Sequence, residues 1–244
     1  WGMGIASRDL NADGRDEVML TSMGDQLLQL AQEDGTYRAA PFTIGTYSQR
    51  PHVGDDGRPS TGWHAEFGDI NNDGRADLFI AKGNVDQMPG MAMEDPNNLL
   101  IQNADGTFTE AAATAGVATT ERSRGAALVD FDGDGLQDLI VTNRRAPLEL
   151  YRNATAETGS WINIDLRQDG INRFAIGAVI TVETDAQTQI IQHVIGGGHA
   201  GGHLVGRHVG LGDAQQAIIT VAWPDGQKTV VNTLADQRIL IRKP

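Results

Sequence analysis

The sequence predicts an all-β protein in which a repeated acidic-loop unit is followed by a smaller β module. Three observations carry that expectation. Glycine supplies 30 of 244 residues while aromatics supply only 5%, a turn-rich composition poor in helix-friendly charged runs. An Asp- and Gly-rich nonapeptide recurs three times at almost constant spacing, the signature of a repeat architecture. Beyond residue 158 these loops stop, and apolar and polar residues alternate with the period of a half-buried strand.

The repeats are Asp9-Leu10-Asn11-Ala12-Asp13-Gly14-Arg15-Asp16-Glu17, Asp69-Ile70-Asn71-Asn72-Asp73-Gly74-Arg75-Ala76-Asp77 and Asp130-Phe131-Asp132-Gly133-Asp134-Gly135-Leu136-Gln137-Asp138, starting 60 and then 61 residues apart. Small and apolar residues precede each, as in Gly125 to Val129, and a strand-like run follows: Val18 to Leu20, Leu78 to Ala81, or Leu139 to Val141. A second signal recurs inside the unit. Leu27 to Leu30 leads into Asp34-Gly35-Thr36, and Leu99 to Gln102 into Asp105-Gly106-Thr107, each a strand entering an Asp-Gly turn. About four short strands per repeat are therefore expected. Two insertions of similar size occupy different connections, roughly residues 46–61 and 84–97, the second carrying Met88, Met91 and Met93.

The acidic loop holds the chemistry. Side-chain oxygens at positions 1, 3 and 5, a glycine at 6 for the tight turn, a carbonyl at 7 and a carboxylate at 9 make a cage of hard donors. Ca²⁺, which takes six to eight oxygens, suits such a cage, whereas Mg²⁺ retains several waters. The expected ligands are Asp9, Asn11, Asp13, the Arg15 carbonyl and Glu17 in loop one. Loop two offers Asp69, Asn71, Asp73, the Arg75 carbonyl and Asp77, and loop three Asp130, Asp132, Asp134, the Leu136 carbonyl and Asp138. About three ions are expected. An EF-hand would need a bidentate Glu at position 12, where this chain has Leu20, Ile80 and Val141. Asp, Asn and Gly clusters are also ordinary turn material, and it is the threefold recurrence that favours an ion loop. Glu17 departs from the Asp found at position 9 of the other two loops.

These residues resemble the FG-GAP or VCBS-type repeat, whose loop binds calcium in β-propeller blades, and Phe67-Gly68-Asp69 echoes the name. Asn172 to Ala178, Gly196-Gly197-Gly198, His208 to Gly212 and Val221 to Gly226 resemble the ASPIC/UnbV domain, which follows such repeats in surface or secreted proteins. Together the two resemblances cover nearly the whole chain. They imply partial propeller blades over residues 1–157 and a β domain over residues 158–244, calcium-bearing, extracytoplasmic and without established catalytic activity. Closed propellers carry about four to eight blades, so three loops imply that upstream blades or another chain complete the ring. The start at Trp1, with neither initiator Met nor leader, likewise suggests a processed or excised piece.

In the second part, strands are expected at Trp161 to Leu166, Ala178 to Glu183, Thr188 to Ile195, Ile218 to Trp223, Thr229 to Val231 and Ile239 to Ile241, forming a small sandwich or barrel after a linker at Ala154 to Gly159. His193, His199, His203 and His208 fall in a glycine-rich stretch. They read either as a transition-metal or catalytic cluster, or as solvated and capping residues of a ligand-binding or merely flexible loop. The zincin-like spacing of His199 and His203 lacks both a following Glu and a helix to carry it. The methionine segment reads as a Cu(I) site or as adaptable packing, Asn153-Ala154-Thr155 as a glycosylation sequon on a loop, and Arg144 with Arg145 as a solvated turn.

The formal charge of -13 argues against nucleic acid as a partner. The absence of cysteine removes thiol nucleophiles, cysteine-ligated zinc and iron–sulfur clusters, and no apolar run approaches a membrane span. With no nucleophile elbow, Walker loop or dinucleotide fingerprint, the expected function is a calcium-stabilised module. It would bind a protein or glycan partner in an extracellular, cell-surface or periplasmic setting. An enzyme or enzyme subunit acting on extracellular polysaccharide, through a central channel or the histidine-glycine loop, and a structural subunit of a surface assembly are the other readings. Ten of the 32 acidic residues are assigned as loop ligands, and three calcium ions would bring the charge to about -7.

Overall fold

The computed structural model describes residues 2–47, 59–85, 92–202, 204 and 206–244. Trp1, Met88, Met91, His203, the greater part of the first insertion (48–58) and residues 86–91 of the second lie outside the described residues. The protein is almost entirely β. Repeat one supplies β1 (Gly2–Arg8), β2 (Glu17–Gly24), β3 (Gln26–Ala31) and β4 (Tyr37–Ala39). Repeat two supplies β5 (Ser60–Gly68), β6 (Asp77–Lys82), β7 (Asn98–Gln102) and β8 (Phe108–Glu110), with a single-turn helix α1 (Ala112–Ala115) after it. Each is an antiparallel meander, and β2 also pairs with β5 at Met23–Thr61 and Gly24–Ser60. Repeat three has β9 (Ser123–Val129), β10 (Asp138–Asn143) and β11 (Glu149–Tyr151) only.

The missing fourth strand has a local cause. In repeats one and two, Thr36 and Thr107 each donate backbone N–H and hydroxyl to the Asp two residues earlier, Asp34 and Asp105, at 3.0 and 2.6 Å. Asn153 and Thr155 make the same two bonds at the same lengths, so the sequon is the third copy of this turn. There the chain leaves for the C-terminal module instead of returning as a strand.

First strands of successive repeats lie side by side, β1 on β5 and β5 on β9, as in consecutive propeller blades. Blade two is therefore covered on both faces. Leu78 and Ile80 of β6 join Met19 and Leu28 in one core, while Phe79 and Ala81 join Leu128, Leu139 and Val141 in the next. This explains why β6 is an unbroken apolar run, whereas β2 alternates buried and half-buried positions.

The C-terminal module comprises β12 (Ser160–Arg167), β13 (Val179–Glu183), β14 (Thr188–Gln192), the two-residue β15 (Gly196–Gly197) and β16 (Gly201–Gly202), β17 (Arg207–Gly212), β18 (Gln216–Ala222), β19 (Lys228–Leu234) and β20 (Gln237–Arg242). Sheets ordered β17-β12-β20 and β14-β13-β18-β19 enclose one core of Ile162, Ile164, Ile180, Val209, Ile219 and Trp223 among others, so the module is a sandwich. The strand β17 was not among those expected, because Arg207 to Gly212 holds two glycines and little alternation.

The second insertion is tied back by a fully buried ion pair. Lys82 Nζ lies 3.1 Å from Asp95, both side chains 0% exposed, and Asp95 Oδ2 accepts from Ser60 Oγ and the Thr61 N–H at 2.7 Å. Removing one partner of a buried pair costs more than replacing both. Asp95→Ala is expected to lower unfolding free energy by about 3–5 kcal/mol in urea titration. The double change Lys82→Met with Asp95→Leu should recover most of that loss.

Candidate metal centre

Each acidic loop joins the first two strands of its repeat, and all three fold on themselves identically. The position-1 carboxylate accepts backbone N–H groups from positions 5 and 6: Asp13 and Gly14 on Asp9, Asp73 and Gly74 on Asp69, Asp134 and Gly135 on Asp130, at 2.8–3.2 Å. The position-9 carboxylate accepts the N–H of position 2, Leu10 on Glu17, Ile70 on Asp77 and Phe131 on Asp138, at 2.9–3.0 Å. Left-handed backbone at position 6 (Gly14, Gly74 and Gly135, φ +84 to +87) turns the chain inward. A glycine adopts this without strain.

In loop three, Asp130, Asp132 and Asp138 each offer an oxygen within 4.8 Å of the others, a group that could hold a metal ion. Among the described residues it is the only such group of three acids or histidines. Loops one and two carry Asn11 and Asn71 at position 3, an amide oxygen in place of the third carboxylate. The position-5 carboxylates Asp13, Asp73 and Asp134 accept the N–H groups of Arg15, Arg75 and Leu136 at 2.9–3.0 Å. A guanidinium also reaches each: Arg15, Arg75, and in loop three Arg152, which spans Asp132 and Asp134 at 2.6 and 2.7 Å. Arg152 stands in for the arginine that position 7 lacks there.

Burial differs among the loops. Loop two lies deepest, with Asp69 6% and Asp77 0% exposed. Burial, reinforced by Asp77 and Asp73, pushes the Asp69 carboxyl up to about 8, and burial pushes Asp77 to about 7 against the N–H groups of Gln102 and Ile70. Burial also raises Glu17, opposed by backbone N–H groups of Leu10 and Ala31. Hard oxygen donors of like charge, converging where water is scarce, fit a hard divalent cation, which relieves their mutual repulsion.

Loop two is deep because the C-terminal module sits on it. Asn71 and Asn72 carbonyls accept the N–H groups of Gly159 and Gly212 at 2.9 and 2.8 Å. A Cβ on Gly210 would lie 2.1 Å from Asp69 Oδ2, so only glycine allows this approach. His208 Nε2 donates to Asn72 Oδ1 at 2.7 Å, while Trp161 stacks on His208 and packs against Gly135 of loop three. The half-buried Arg8 side chain, among the charges of Asp69, Asp16 and Asp9, donates to Gln189 of the module at 3.1 Å.

Among the described residues, His193, His199 and His208 do not converge on one site. His193 donates from Nε2 to the Phe174 carbonyl and accepts from Arg207 Nε at Nδ1, at 2.9 and 3.0 Å. Burial and the Arg207 charge bring it down to about 4. His199 contacts the Met3 carbonyl and packs edge-on against Trp63, and burial holds His208 at about 4, helped by the Arg8 charge. His193 and His208 are structural, neutral imidazoles. The Asn153 amide is equally committed, donating to the carbonyls of Ile70 and Gln137 at 2.9 and 3.1 Å. Asn72, Trp161, Gly210 and Arg152 were absent from the expected site. Only the asparagine at position 4 of loop two, where the other loops have alanine and glycine, hinted at any of them.

Fold and loops together define a repeat protein of the propeller-blade kind. The FG-GAP-like repeat family matches residues 9–80 and 90–141, the FG-GAP repeat matches 123–160, and ASPIC and UnbV matches 168–244. The chain belongs to the FG-GAP-like repeat family and carries an ASPIC and UnbV domain at its C-terminal end. Cartilage acidic protein 1 of Homo sapiens is 23% identical over 97% of this chain, and that of Mus musculus 24% over 98%. Their Xenopus tropicalis counterpart is 29% identical over 43%. The chain spans about a third of the length of the human and mouse relatives, 35% and 36%. Among described residues no helix is long and apolar enough to cross a membrane.

Gly210→Ala is expected to lower the melting temperature by several degrees, since overpacking here forces backbone apart at about 1–3 kcal/mol. Gly197→Ala, with nothing within 4 Å of its Cβ, should leave melting unchanged in the same thermal scan.

Proposed function

We propose that this chain is a calcium-stabilised interaction module that works outside the cytoplasm. The observation that carries the reading is the internal bonding shared by three oxygen-lined loops, whose position-1 and position-9 carboxylates accept the same backbone N–H groups, together with the three carboxylates that converge in loop three. Residues 1–157 are read as blades and 158–244 as the second unit. The ligands are read as the side chains of positions 1, 3, 5 and 9 with the carbonyls of Arg15, Arg75 and Leu136. Calcium would supply charge neutralisation and fix the loops, a structural role. Loop ions of moderate affinity fill at millimolar extracellular calcium and stay empty at resting cytosolic levels. The setting agrees with relatives named for cartilage. The partner is read as a protein or glycan, and the greater length of the relatives supports further blades, in the same or another chain, completing the ring.

Chelation with EGTA is expected to lower the melting temperature and calcium to restore it, by about 2.7 kcal/mol per site at a hundredfold excess over Kd. Asp134→Ala and Asp73→Ala should each lose part of that shift. An unchanged melting curve on chelation, together with no calcium by elemental analysis, would overturn the reading.

A pH dependence follows from loop two. With Asp69 near 8 and Asp77 near 7 in the native protein, against 3.8 when free, the calcium-free native state binds more protons than the unfolded chain between those values. Its stability therefore falls as pH rises from about 4 to about 8. Differential scanning calorimetry across that range should show the stabilisation by calcium growing as pH rises, because the ion replaces the lost protons.

A further inference from the structure

Position 4 of the acidic loop has the same left-handed backbone in all three copies, with φ +60 at Ala12, +58 at Asn72 and +79 at Gly133. A methyl group or a hydrogen suffices in loops one and three, so the loop itself asks nothing of this side chain. In loop two it is an asparagine, 0% exposed, in a conformation that costs other residues about 1 kcal/mol. Both ends of its amide are used. Nδ2 donates to the Gly135 carbonyl of loop three at 2.9 Å, and Oδ1 accepts from His208 Nε2 of the module at 2.7 Å. Its own carbonyl accepts the Gly212 N–H of the module. One residue therefore bonds loop two, the centre of loop three and the C-terminal sandwich.

Because Asn72 lies between Asn71 and Asp73, any tightening of loop two around an ion fixes the atoms that hold the module, and docking of the module fixes the loop. We propose that Asn72 and His208 couple ion binding in loops two and three to docking of the C-terminal module, acting as positioning residues for both. The inference rests on the calcium reading. It adds that the module is part of the ion site's support, so a change in the module 136 residues away alters calcium affinity. Such linkage is reciprocal by thermodynamic necessity.

The test uses the full chain, with CaCl₂ titrated calorimetrically and cleavage after Glu157 in the linker followed with a glutamyl endopeptidase. Wild type is expected to bind calcium and to be cut slowly in calcium and faster in EGTA, since cleavage reports local undocking. Asn72→Gly keeps the left-handed backbone accessible and removes only the amide. It should weaken calcium binding about 5- to 20-fold and be cut in calcium nearly as fast as wild type in EGTA. His208→Leu, which leaves every loop residue in place, should do the same, and Ala12→Gly at the matching position of loop one should do neither. Wild-type calcium affinity and cleavage rate in both Asn72→Gly and His208→Leu would overturn the coupling. A wild-type chain that takes up no calcium would overturn the calcium reading, and the coupling with it.

Discussion

Everything in this molecule is arranged around carboxylates that fold brings closer than their charges prefer. Each repeat begins by sending a strand into a nine-residue reversal whose first and last members are acids. The antiparallel pairing of β1 with β2, β5 with β6 and β9 with β10 then leaves those acids facing one another. The backbone answers part of the repulsion by donating N–H groups inward, and arginines answer part from outside. Neither supplies a positive charge at the centre. The remaining imbalance is largest in loop two, where solvent is excluded and Asp69 and Asp77 hold their protons far above the ordinary carboxylate range.

That depth is a product of the second unit. The sandwich does not hang from the blades by its linker. It lays β12 and β17 across loops two and three, with glycines at 159 and 210 where its backbone must come closest. A surface loop is thereby turned into an interior one. Local electrostatics and long-range packing are consequently one problem in this protein. A histidine of the module reaches the blades by one hydrogen bond, to Asn72, the chain neighbour of Asp73.

Much of this was legible in the residues. The threefold nonapeptide gave the repeat unit and located its reversals, and the run Leu78 to Ala81 marked a strand, whose burial on both faces only the fold reveals. The alternation of Trp161 to Leu166 and of Ile218 to Trp223 foretold a small sandwich or barrel. What escaped was long-range. Nothing local in Arg207 to Gly212 distinguishes a sheet strand from a loop, because its glycines are there for a neighbour distant in the chain. The histidines looked like a cluster only because they are close in sequence. Folding sends His193 under the sandwich, His199 to β1 and His208 to loop two. Asn153 read as an acceptor for sugar until its amide proved to be holding two carbonyls.

The pairing of β12 with β20 has one more consequence. These are the first and last strands of the sandwich, and they run parallel over six residue pairs, from Ile162 with Gln237 to Arg167 with Arg242. A tension applied between the blades and the C-terminal end pulls the two strands past each other along their length. Their hydrogen bonds lie across that direction and share the load together, where a hairpin would open one bond at a time. The module would meet such a load as a shear joint.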